Sequence, residues 1–599
     1  MRKICCLAAL LAAIPCIATA QVGKEVEVTK AYVPDVERAT KLAAVPDMTD
    51  TVKLRPEIDY SITPLSFASQ FDTRPIRPAQ VTYWEFNRPR PFYLKAGAGY
   101  PLNSVLDFYA ATQHPGTGYA VGYVNHEGRY ADIRNDFGQK RDALRMTNRI
   151  GAAAGKYFGR HTLEGSVCYE NRLYSRYGAC EAAPDAEAGA ASVMRPDYGD
   201  AELALRFGDD FENLDRWNFD LAFRAGLFWD HSDFSGYRNP ARQTDVGASA
   251  KLARRFGRHL VQVQGGYDRM AGQKAIDGRV EQLFTGGLRY GYAGGFIDFV
   301  AGADYCGDRI RGAAGGNYVI PHARLRFDLG TKALQPFFEA DGGVHANDYR
   351  SLTRQNPYVF NAFPVRNPDG ETDGEGGRAI AVAPLDKSTV SYDFRLGIDG
   401  ELWRERFTYR LYAGFSIRDD FLYWCSVPVG GGEASSADLL GAFAPVAGRL
   451  TVTSFGGEAV FRPVSSFRLS LGARCNIYNN EGVWRWEAAR CKLANGLPSF
   501  EGHAGAEYQG RKVTFGVSVG LQSARSWSVI GRNAAADGFE VRDFEAPFGA
   551  DLRVHLDWRV GGRVTIFGEG RNLADRPLYR YAFYPEYGAN CTVGVKLEF

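Results

Sequence analysis

Apolar and polar residues alternate along most of the chain from Phe92 onwards. In the clearest stretch, apolar residues occupy every second position and polar residues lie between them: Trp217, Phe219, Leu221, Phe223, Ala225, Leu227 and Trp229, against Asn218, Asp220, Arg224 and Asp230. Successive side chains of a strand point to opposite faces, so one face is apolar and the other is charged. The twelve residue steps from Trp217 to Trp229, at about 3.3 Å each and tilted near 45°, rise roughly 28 Å, the height of the apolar band of a membrane barrel. The stretch predicts a transmembrane strand with an aromatic residue at each rim.

The same alternation recurs in many segments. Residues 407–417 place apolar side chains opposite Thr408, Arg410 and Ser416, and residues 323–329 place them opposite Arg324 and Arg326. Segments of this kind number about 22 between residues 92 and 599, which leaves about 23 residues for each strand and its connection. The sequence therefore predicts an all-β fold, a transmembrane antiparallel β-barrel of about 22 strands over residues 93–599, with a polar, Arg-rich interior.

The lengths of the connections predict which end of the barrel they occupy. Outer-membrane barrels have short periplasmic turns and longer external loops. Short turns are expected at 463–466 and 559–563. Long external connections are expected at 178–195, 344–387, 427–448 and 525–545. An even number of strands then places both termini on the periplasmic side.

The N-terminus differs from the rest of the chain. Residues 1–20 read as a secretory signal peptide, with Arg2 and Lys3, an apolar stretch and small residues before a cleavage site after Ala20. Cys16 offers a lipoprotein alternative, but Pro15 stands where acylation sites favour a small residue. No later run of 18 apolar residues predicts a transmembrane helix.

Residues 21–92 form a Pro-rich segment. Its eight prolines prevent a long helix or an interior strand: Pro34, Pro46, Pro56, Pro64, Pro75, Pro78, Pro89 and Pro91. We expect the segment to be extended, periplasmic or luminal, and needed for function though not for barrel folding. It offers short patches that suit docking to the barrel wall or to a partner protein.

Net charge and the absence of catalytic motifs limit the classes of function that the sequence predicts. The formal charge of +2 falls to zero when Arg2 and Lys3 leave with the signal peptide, so nucleic acid is not an expected partner. No GxSxG, P-loop or dinucleotide motif lies in a strand-to-helix context, which predicts a non-enzyme without a cofactor. The acidic loop 369–375 has carboxylates at alternate positions that suit Ca²⁺, but its spacing is not that of an EF-hand, and a solvated loop is favoured.

Cysteines and loop aromatics have simpler interpretations. The mature chain would keep seven cysteines, an odd number, and Cys475 and Cys591 fall on lipid-facing stripes as small apolar residues. Cys168 and Cys180 remain a possible disulfide pair.

Four aromatic residues lie near the predicted loops: Tyr423, Trp424, Trp484 and Trp486. They suit either stacking on a ligand or, as favoured here, the aromatic girdle at the membrane interface.

The last 49 residues carry a resemblance to a known family. Residues 551–558 alternate, and the chain ends on Val593, Val595, Leu597 and Phe599, interleaved with polar residues. Between them stands Asn572-Leu-Ala-Asp575, followed by Tyr579. This motif resembles the turn near the end of TonB-dependent receptor barrels, in which the Asn and Asp side chains bond local backbone while the Leu packs. The Pro-Gly-Arg that usually opens the final strand is here Tyr587-Gly588-Ala589-Asn590.

The resemblance implies a location, partners and a function. The protein is expected in the outer membrane, surrounded by its lipid, with Val593, Val595, Leu597 and Phe599 as the signal that the barrel-insertion machinery reads. Glu25-Val26-Glu27-Val28-Thr29 resembles the TonB box, by which such receptors add a strand to a periplasmic partner. The 72 residues of 21–92 leave no room for a conventional plug domain. Two functions follow: a receptor or transport barrel, or a scaffold subunit of an envelope complex with residues 21–92 as its docking arm.

Overall fold

The computed structural model describes residues 90–112, 116–178, 195–232, 241–274, 276–311, 313, 315–359, 388–428, 439–486, 489–533 and 538–599. The signal peptide, the segment 21–89 with Glu25 to Thr29, the acidic loop 369–375 and Cys180 lie outside these residues. Predictions on those parts of the chain stay predictions.

The described residues form thirty strands and one helix. In the first half these are β1 (Phe92–Tyr100), β2 (Asn103–Ala111), β3 (Gly118–Arg129), β4 (Asp132–Arg134), β5 (Lys140–Asp142), β6 (Arg145–Phe158), β7 (His161–Tyr174), β8 (Asp197–Asp209), β9 (Asn218–Asp230), β10 (Ala241–Phe256), β11 (His259–Lys274), β12 (Val280–Ala293), β13 (Ile297–Ile310), β14 (Gly316–Phe327), β15 (Gln335–His345) and α1 (Tyr349–Gln355). In the second half they are β16 (Thr389–Leu402), β17 (Phe407–Pro428), β18 (Leu439–Val464), β19 (Phe467–Asn480), β20 (Val483–Trp486), β21 (Ala489–Lys492), β22 (Phe500–Gln509), β23 (Val513–Gln522), β24 (Arg525–Asn533), β25 (Gly538–Ala546), β26 (Gly549–Arg559), β27 (Val564–Arg571), β28 (Tyr579–Tyr581), β29 (Tyr584–Pro585) and β30 (Asn590–Glu598).

Twenty-two of these strands close into one antiparallel barrel. Each barrel strand pairs with the next along the chain, and β1 pairs with β30 from Tyr93 opposite Glu598 to Tyr100 opposite Cys591. The small hairpins β4–β5, β20–β21, β24–β25 and β28–β29 lie in the connections. Closure leaves no unpaired sheet edge, which a barrel in lipid requires. The predicted fold and strand number are confirmed.

The alternation in the sequence becomes two faces of the wall. On β9, Leu221 and Leu227 are 48% and 55% exposed on the outside, whereas Asn218 and Asp230 are buried on the inner side. The same outward apolar exposure recurs on other strands, for example at Leu288, Leu396 and Leu471. An outer apolar surface around a polar interior is the pattern of a barrel that crosses a membrane.

The barrel has two distinct ends. Phe92 and Phe599 meet at one end, here called the terminus end, where each backbone N–H donates to the carbonyl of the other at 3.1 Å. Strands β18 and β26 run antiparallel to β1 and end at Val464 and Arg559, at the end of the barrel where β1 begins. The predicted turns 463–466 and 559–563 therefore also lie at the terminus end. The long connections, which include 346–388 and 572–589, lie at the opposite loop end.

The structure shows strand pairing within two of the predicted external connections. Residues 439–448 belong to β18, which continues past the wall to pair with the outer part of β17, beyond an irregularity between Arg418 and Phe421. Residues 525–545 hold the hairpin β24–β25, joined to β17 through the pair Ser426 and Val529. Both segments were predicted only as external connections, and their buried apolar residues pack against other connections, which stabilises the strand pairing.

Among the described residues, no helix is long and apolar enough to cross a membrane. The single described helix, α1, has seven residues. It lies in the connection between β15 and β16.

Candidate functional site at the loop end

Helix α1 forms because its ends are satisfied locally. Asp348 is its N-cap, and the Asp348 side chain accepts a hydrogen bond from the Ser351 backbone N–H at 3.2 Å. A carboxylate in this position satisfies a backbone donor that the helix itself leaves unpaired. At the other end, the Asn356 N–H donates to the Leu352 carbonyl. The helix buries Tyr349, Arg350, Leu352 and Thr353.

Arg350 fixes α1 to the inner wall of the barrel. Its guanidinium donates two hydrogen bonds to Asp200, at 2.7 and 2.8 Å, one to Glu202 at 2.7 Å and one to Asp245 at 3.1 Å. Asp200 and Glu202 lie on β8 and Asp245 on β10. The Arg350 side chain is 11% exposed, that of Asp200 3% and that of Asp245 8%. Burial lowers the pKa of Arg350, but the hydrogen bonds with Asp200 outweigh it and raise the pKa above its ordinary value.

Neighbouring contacts extend this attachment across three strands of the wall. The Tyr349 hydroxyl donates to Asp230 of β9 at 2.5 Å, and the Tyr198 hydroxyl of β8 donates to the Pro357 carbonyl at 2.6 Å. Burial, followed by the Asp230 carboxylate, raises the pKa of Tyr349 well above its ordinary value. The hydroxyl therefore keeps its proton and remains a donor.

Aromatic residues from separate connections form a cluster over the mouth of the barrel, here called the cap cluster. Tyr358 stacks on Tyr584 with ring centroids 3.8 Å apart, and Tyr177 meets Tyr584 edge-on at 4.9 Å. The Tyr584 hydroxyl donates to the Gly441 carbonyl at 2.5 Å. The buried large members come from the connections and strand ends of the loop end: Tyr174, Tyr177, Tyr198, Phe228, Tyr349, Leu352, Tyr358, Val359, Leu422, Trp424, Phe443, Trp527, Tyr581, Tyr584 and Tyr587.

The cap cluster joins walls that stand nearly opposite each other. Counted around the ring, β8 is the sixth barrel strand and β17 the fifteenth of 22, and both contribute to the cluster through Tyr198 and Trp424. Aromatic pairs of this geometry stabilise beyond the area that they bury. The loop end is thus bridged by the protein's own chain.

The Asn572 turn has the hydrogen bonds that its motif predicts. The Asn572 side-chain amide donates to the carbonyls of Arg576 and Tyr587, at 2.9 and 3.0 Å, and its oxygen accepts from the Arg576 N–H at 3.2 Å. Asn572 has a φ of 47°, a left-handed conformation that Asn tolerates better than most residues. Asp575 accepts from the Ala589 N–H at 3.0 Å. Leu573 does not pack into a core, since it is 39% exposed.

Four arginines surround Glu586 just below this turn. Arg129, Arg145 and Arg580 approach its carboxylate at 3.8 to 4.0 Å, and Arg571 approaches the neighbouring Glu127 at 3.9 Å. Burial raises the pKa of Glu586, but Arg145, Arg580 and Arg129 outweigh it and hold the pKa below its ordinary value. Arg571 also contacts Glu569 at 3.5 Å, so four arginines and three carboxylates form one ion network in this part of the loop end.

The inner wall below the loop end carries paired charges. Lys95 contacts Glu569 at 3.0 Å and Lys596 contacts Asp557 at 2.7 Å. Nearer the terminus end, a cavity of about 290 Å³ is bordered by four arginines and one aspartate: Arg255, Arg258, Arg324, Arg326 and Asp298. The predicted Arg-rich interior is present.

The predicted assembly residues lie on β30, where Val593 is 58%, Val595 37% and Phe599 49% exposed. Their role in insertion stays a prediction. Cys475 and Cys591 are free and exposed, as expected for lipid-facing positions, and Cys168 is also free.

Tyr423 and Trp424 are not girdle residues, so that interpretation is wrong. Tyr423 is fully buried and Trp424 is 9% exposed, because both lie on the part of β17 that extends beyond the wall and packs against other connections. The side chains of Trp484 and Trp486 lie outside those that the structure describes.

The structure adds residues that the sequence did not single out. Arg350, Asp200 and Asp245 are ordinary charges in the sequence, and 150 positions separate Arg350 from Asp200. The one available signal was Asp348 three residues before Ser351, an N-cap pattern inside a predicted loop.

Comparison with known proteins agrees with the fold. No family model matches the chain, and no curated protein sequence matches it. Among solved structures, the FrpB iron transporter from Neisseria meningitidis is similar with a TM-score of 0.63 and 11% identity, over 86% of this chain and 82% of that one. The pyoverdine outer membrane receptor FpvA from Pseudomonas aeruginosa has a TM-score of 0.58 and 10% identity, over 86% and 79% of the two chains.

The copper transporter OprC is similar with a TM-score of 0.57 and 13% identity, over 86% of this chain and 81% of that one. At these identities the likeness concerns the fold. The chain is a closed 22-stranded antiparallel β-barrel whose fold is similar to that of these receptors and transporters.

Proposed function

We propose that the protein is a receptor or transport-related barrel of the TonB-dependent receptor type, which takes up a ligand from the loop end. The observation that carries this proposal is the cap cluster across a 22-stranded barrel. A barrel of this size encloses a wide lumen. A mouth bridged by connections, rather than by the wall itself, offers surfaces that a ligand contacts first and then displaces.

Two further observations support uptake. The fold is similar to that of an iron transporter, a pyoverdine receptor and a copper transporter. The inner wall has charged residues from loop end to terminus end, including the Glu586 arginine group and the arginine-bordered cavity. Such a wall keeps water and polar solutes in the lumen. Coupling to TonB through Glu25 to Thr29, and the lack of a conventional plug, remain parts of the proposal.

The extensive contacts within the cap cluster favour a second function. Tyr584 is fully buried, contacts four other aromatic rings of the cap cluster, and is hydrogen-bonded to Gly441. A mouth that stays shut suits a scaffold subunit of an envelope complex. In that case residues 21–92 serve as the docking arm for a periplasmic or outer-membrane partner.

Permeability in cells separates the two functions. Strains would carry the wild type, Tyr584→Ala, a deletion of residues 24–90, or both changes. Tyr100→Ala is the matched control, because Tyr100 is a loop-end tyrosine that is 76% exposed. The measurements are sensitivity to large antibiotics and the proteins that co-purify with the barrel from outer membranes.

If a ligand passes through the lumen, the variant with both Tyr584→Ala and the deletion should make cells more sensitive to large antibiotics. Tyr100→Ala should leave this sensitivity unchanged. A scaffold predicts unchanged sensitivity and loss of a stoichiometric partner when residues 24–90 are deleted. Normal barrel levels with neither change would contradict both proposals.

A further inference from the structure

Three polar side chains meet on the outer face of the wall, near the loop end. Ser104 is the second residue of β2, and His126 and Asn148 lie three residues from the loop-end limits of β3 and β6. His126 pairs with Leu106 on one side and with Asn148 on the other. Residues directly opposite each other in antiparallel strands share one face of the sheet. Leu106 is 37% exposed on the apolar outer surface, so His126 and Asn148 point outward. Ser104 does so too, because it lies two residues from Leu106 on the same strand.

Hydrogen bonds join these three residues, here called the outer triad. Ser104 Oγ lies 2.8 Å from His126 Nε2, and Asn148 Oδ1 lies 2.6 Å from His126 Nδ1. Since an amide oxygen only accepts hydrogen bonds, the proton of the neutral imidazole is on Nδ1. Nε2 is therefore the acceptor, and the Ser104 hydroxyl donates to it. A hydroxyl nucleophile beside a base that a third residue orients is the arrangement by which serine hydrolases act on esters and amides.

The Tyr130 hydroxyl adds a donor to the outer triad. It lies 3.2 Å from Ser104 Oγ and 3.0 Å from His126 Nε2. Gly128 makes this position accessible, because a Cβ atom on residue 128 would stand 2.1 Å from the Tyr130 hydroxyl oxygen. Attack of Ser104 on an ester places negative charge on the carbonyl oxygen, and a hydroxyl donor beside Oγ stabilises that charge. Tyr130 is placed for this role.

The surface around the outer triad is apolar. Leu102, Leu106, Val124 and Ile150 are 63%, 37%, 36% and 54% exposed. Val124 pairs with Ile150 two residues from the triad, further towards the middle of the wall. Fatty acyl chains pack against such a surface in a bilayer, and the ester groups that join them to the lipid lie at the edge of the apolar region. The outer triad therefore lies at the level at which an ester meets the wall.

We propose that the outer triad hydrolyses the acyl esters of membrane lipids that reach the loop end of the wall. Ser104 Oγ attacks the carbonyl carbon while its proton passes to His126 Nε2. The bond between that carbon and the alcohol oxygen of the lipid then breaks, and His126 gives the proton to this oxygen. A water molecule next attacks the acyl-Ser104 ester, and its proton passes to His126 and then to Ser104 Oγ as the carbon–Oγ bond breaks. One water is consumed, and the products are a free fatty acid and the deacylated lipid.

This activity is separate from uptake through the lumen, because the outer triad lies on the opposite face of the wall. The sequence predicted a non-enzyme, since no GxSxG motif lies in a strand-to-helix context. Ser104, His126 and Asn148 come instead from three strands, and successive members are 22 positions apart. Only the register of β2, β3 and β6 brings them together.

The test uses the full-length barrel purified in detergent and mixed with dipalmitoylphosphatidylcholine or, in a parallel arm, with lipid A. Both lipids contain ester-linked fatty acids, so the two arms show which lipid supplies the ester. Mass spectrometry measures the fatty acid that is released. A fluorophosphonate, which reacts with activated serines, identifies the nucleophile by labelling its peptide. We expect fatty acid release from at least one lipid and labelling of the wild type at Ser104.

Single substitutions separate catalysis from a structural role. Ser104→Ala should abolish labelling and lower hydrolysis by at least about 10³-fold, and His126→Ala should lower hydrolysis by roughly 10² to 10⁴. Tyr130→Phe should lower kcat by roughly 10² to 10³ with KM unchanged, because it removes a donor to the charged intermediate. Asn148→Asp keeps an oxygen that accepts from His126 Nδ1, so it should retain activity that Asn148→Leu loses.

Ser249→Ala is the matched control, because Ser249 is an exposed serine of the wall strand β10. It should change neither hydrolysis nor labelling. Heat-modifiable migration shows which variants are folded, and the wild type decides the test even where a variant is not. A folded wild type that releases no fatty acid from either lipid or leaves Ser104 unlabelled would overturn the proposal. So would hydrolysis by Ser104→Ala at the wild-type rate.

Discussion

Replacing Arg350 by methionine should release helix α1 from the barrel wall. Methionine keeps much of the side chain's length but removes the charge and all four hydrogen bonds to Asp200, Glu202 and Asp245. Asp200 and Asp245 are nearly fully buried, so the substitution leaves two buried carboxylates without their main cation. Breaking a buried ion pair from one side costs about 3 to 5 kcal/mol.

That cost sets the size of the expected effect. At about 1.4 kcal/mol for each tenfold change, the opening equilibrium of α1 should rise by roughly 10² to 10⁴. Hydrogen exchange of a peptide that covers Tyr349–Gln355 measures this opening directly, since protected amides exchange through local opening. Peptides from β1 and β30 should exchange as in the wild type, because the closing strands of the wall are untouched.

Arg354→Met is the matched control. Arg354 lies on the same helix and contacts Asp200 at 2.6 Å, but its side chain is 49% exposed. An exposed ion pair contributes at most about 1 kcal/mol, so exchange should rise no more than about fivefold. If Arg350→Met exchanges no faster than Arg354→Met, the buried ion network does not hold the helix.

Three further predictions follow from other parts of the chain. Asn572→Ala removes three hydrogen bonds at a residue with φ of 47°. The free energy of unfolding of the barrel should fall by about 2 to 4 kcal/mol, which heat-modifiable migration shows as a smaller folded fraction. Unchanged stability would refute the role of the motif. Deleting Phe599, which pairs with Phe92, should reduce folded barrel in outer membranes, and wild-type yield would place the assembly signal elsewhere. Since arginines hold the pKa of Glu586 below its ordinary value of 4.5, its stabilising contribution is fully present above that value and is lost as the pH falls through the lowered pKa. The protection factors of the amides at residues 579–587, which correct for the slower intrinsic exchange in acid, should therefore fall with pH in the wild type, and less so in Glu586→Gln; an equal fall in both proteins would show that Glu586 does not stabilise this segment.

The barrel wall was predictable because its determinants are local. The period-two pattern of residues 217–229 specifies which side of β9 faces lipid, whatever the rest of the chain does. The Asn572 turn was predictable for the same reason, since its hydrogen bonds span only a few residues or close the loop to Tyr587.

The loop end was not predictable because its contacts are long-range. Asp200 and Asp245 alternate with apolar residues like any luminal carboxylates, and nothing local distinguishes them as partners of Arg350. Short apolar runs such as 442–446 were a usable signal, since a solvated loop would not need them. The alternation suggests where a wall strand lies, but it does not say how far β17 and β18 continue beyond the wall.

Conductance across planar bilayers tests whether the cap cluster closes the mouth of a wide barrel. The comparison uses the barrel without residues 24–90, with and without Tyr584→Ala and Arg350→Met together. Replacing a buried aromatic by alanine costs about 3 to 5 kcal/mol, so the combined change should open the cap. Openings should be small and rare with the cap intact, and conductance should be large and sustained without it. Equal conductance of the two proteins, with both barrels folded, would contradict this closure.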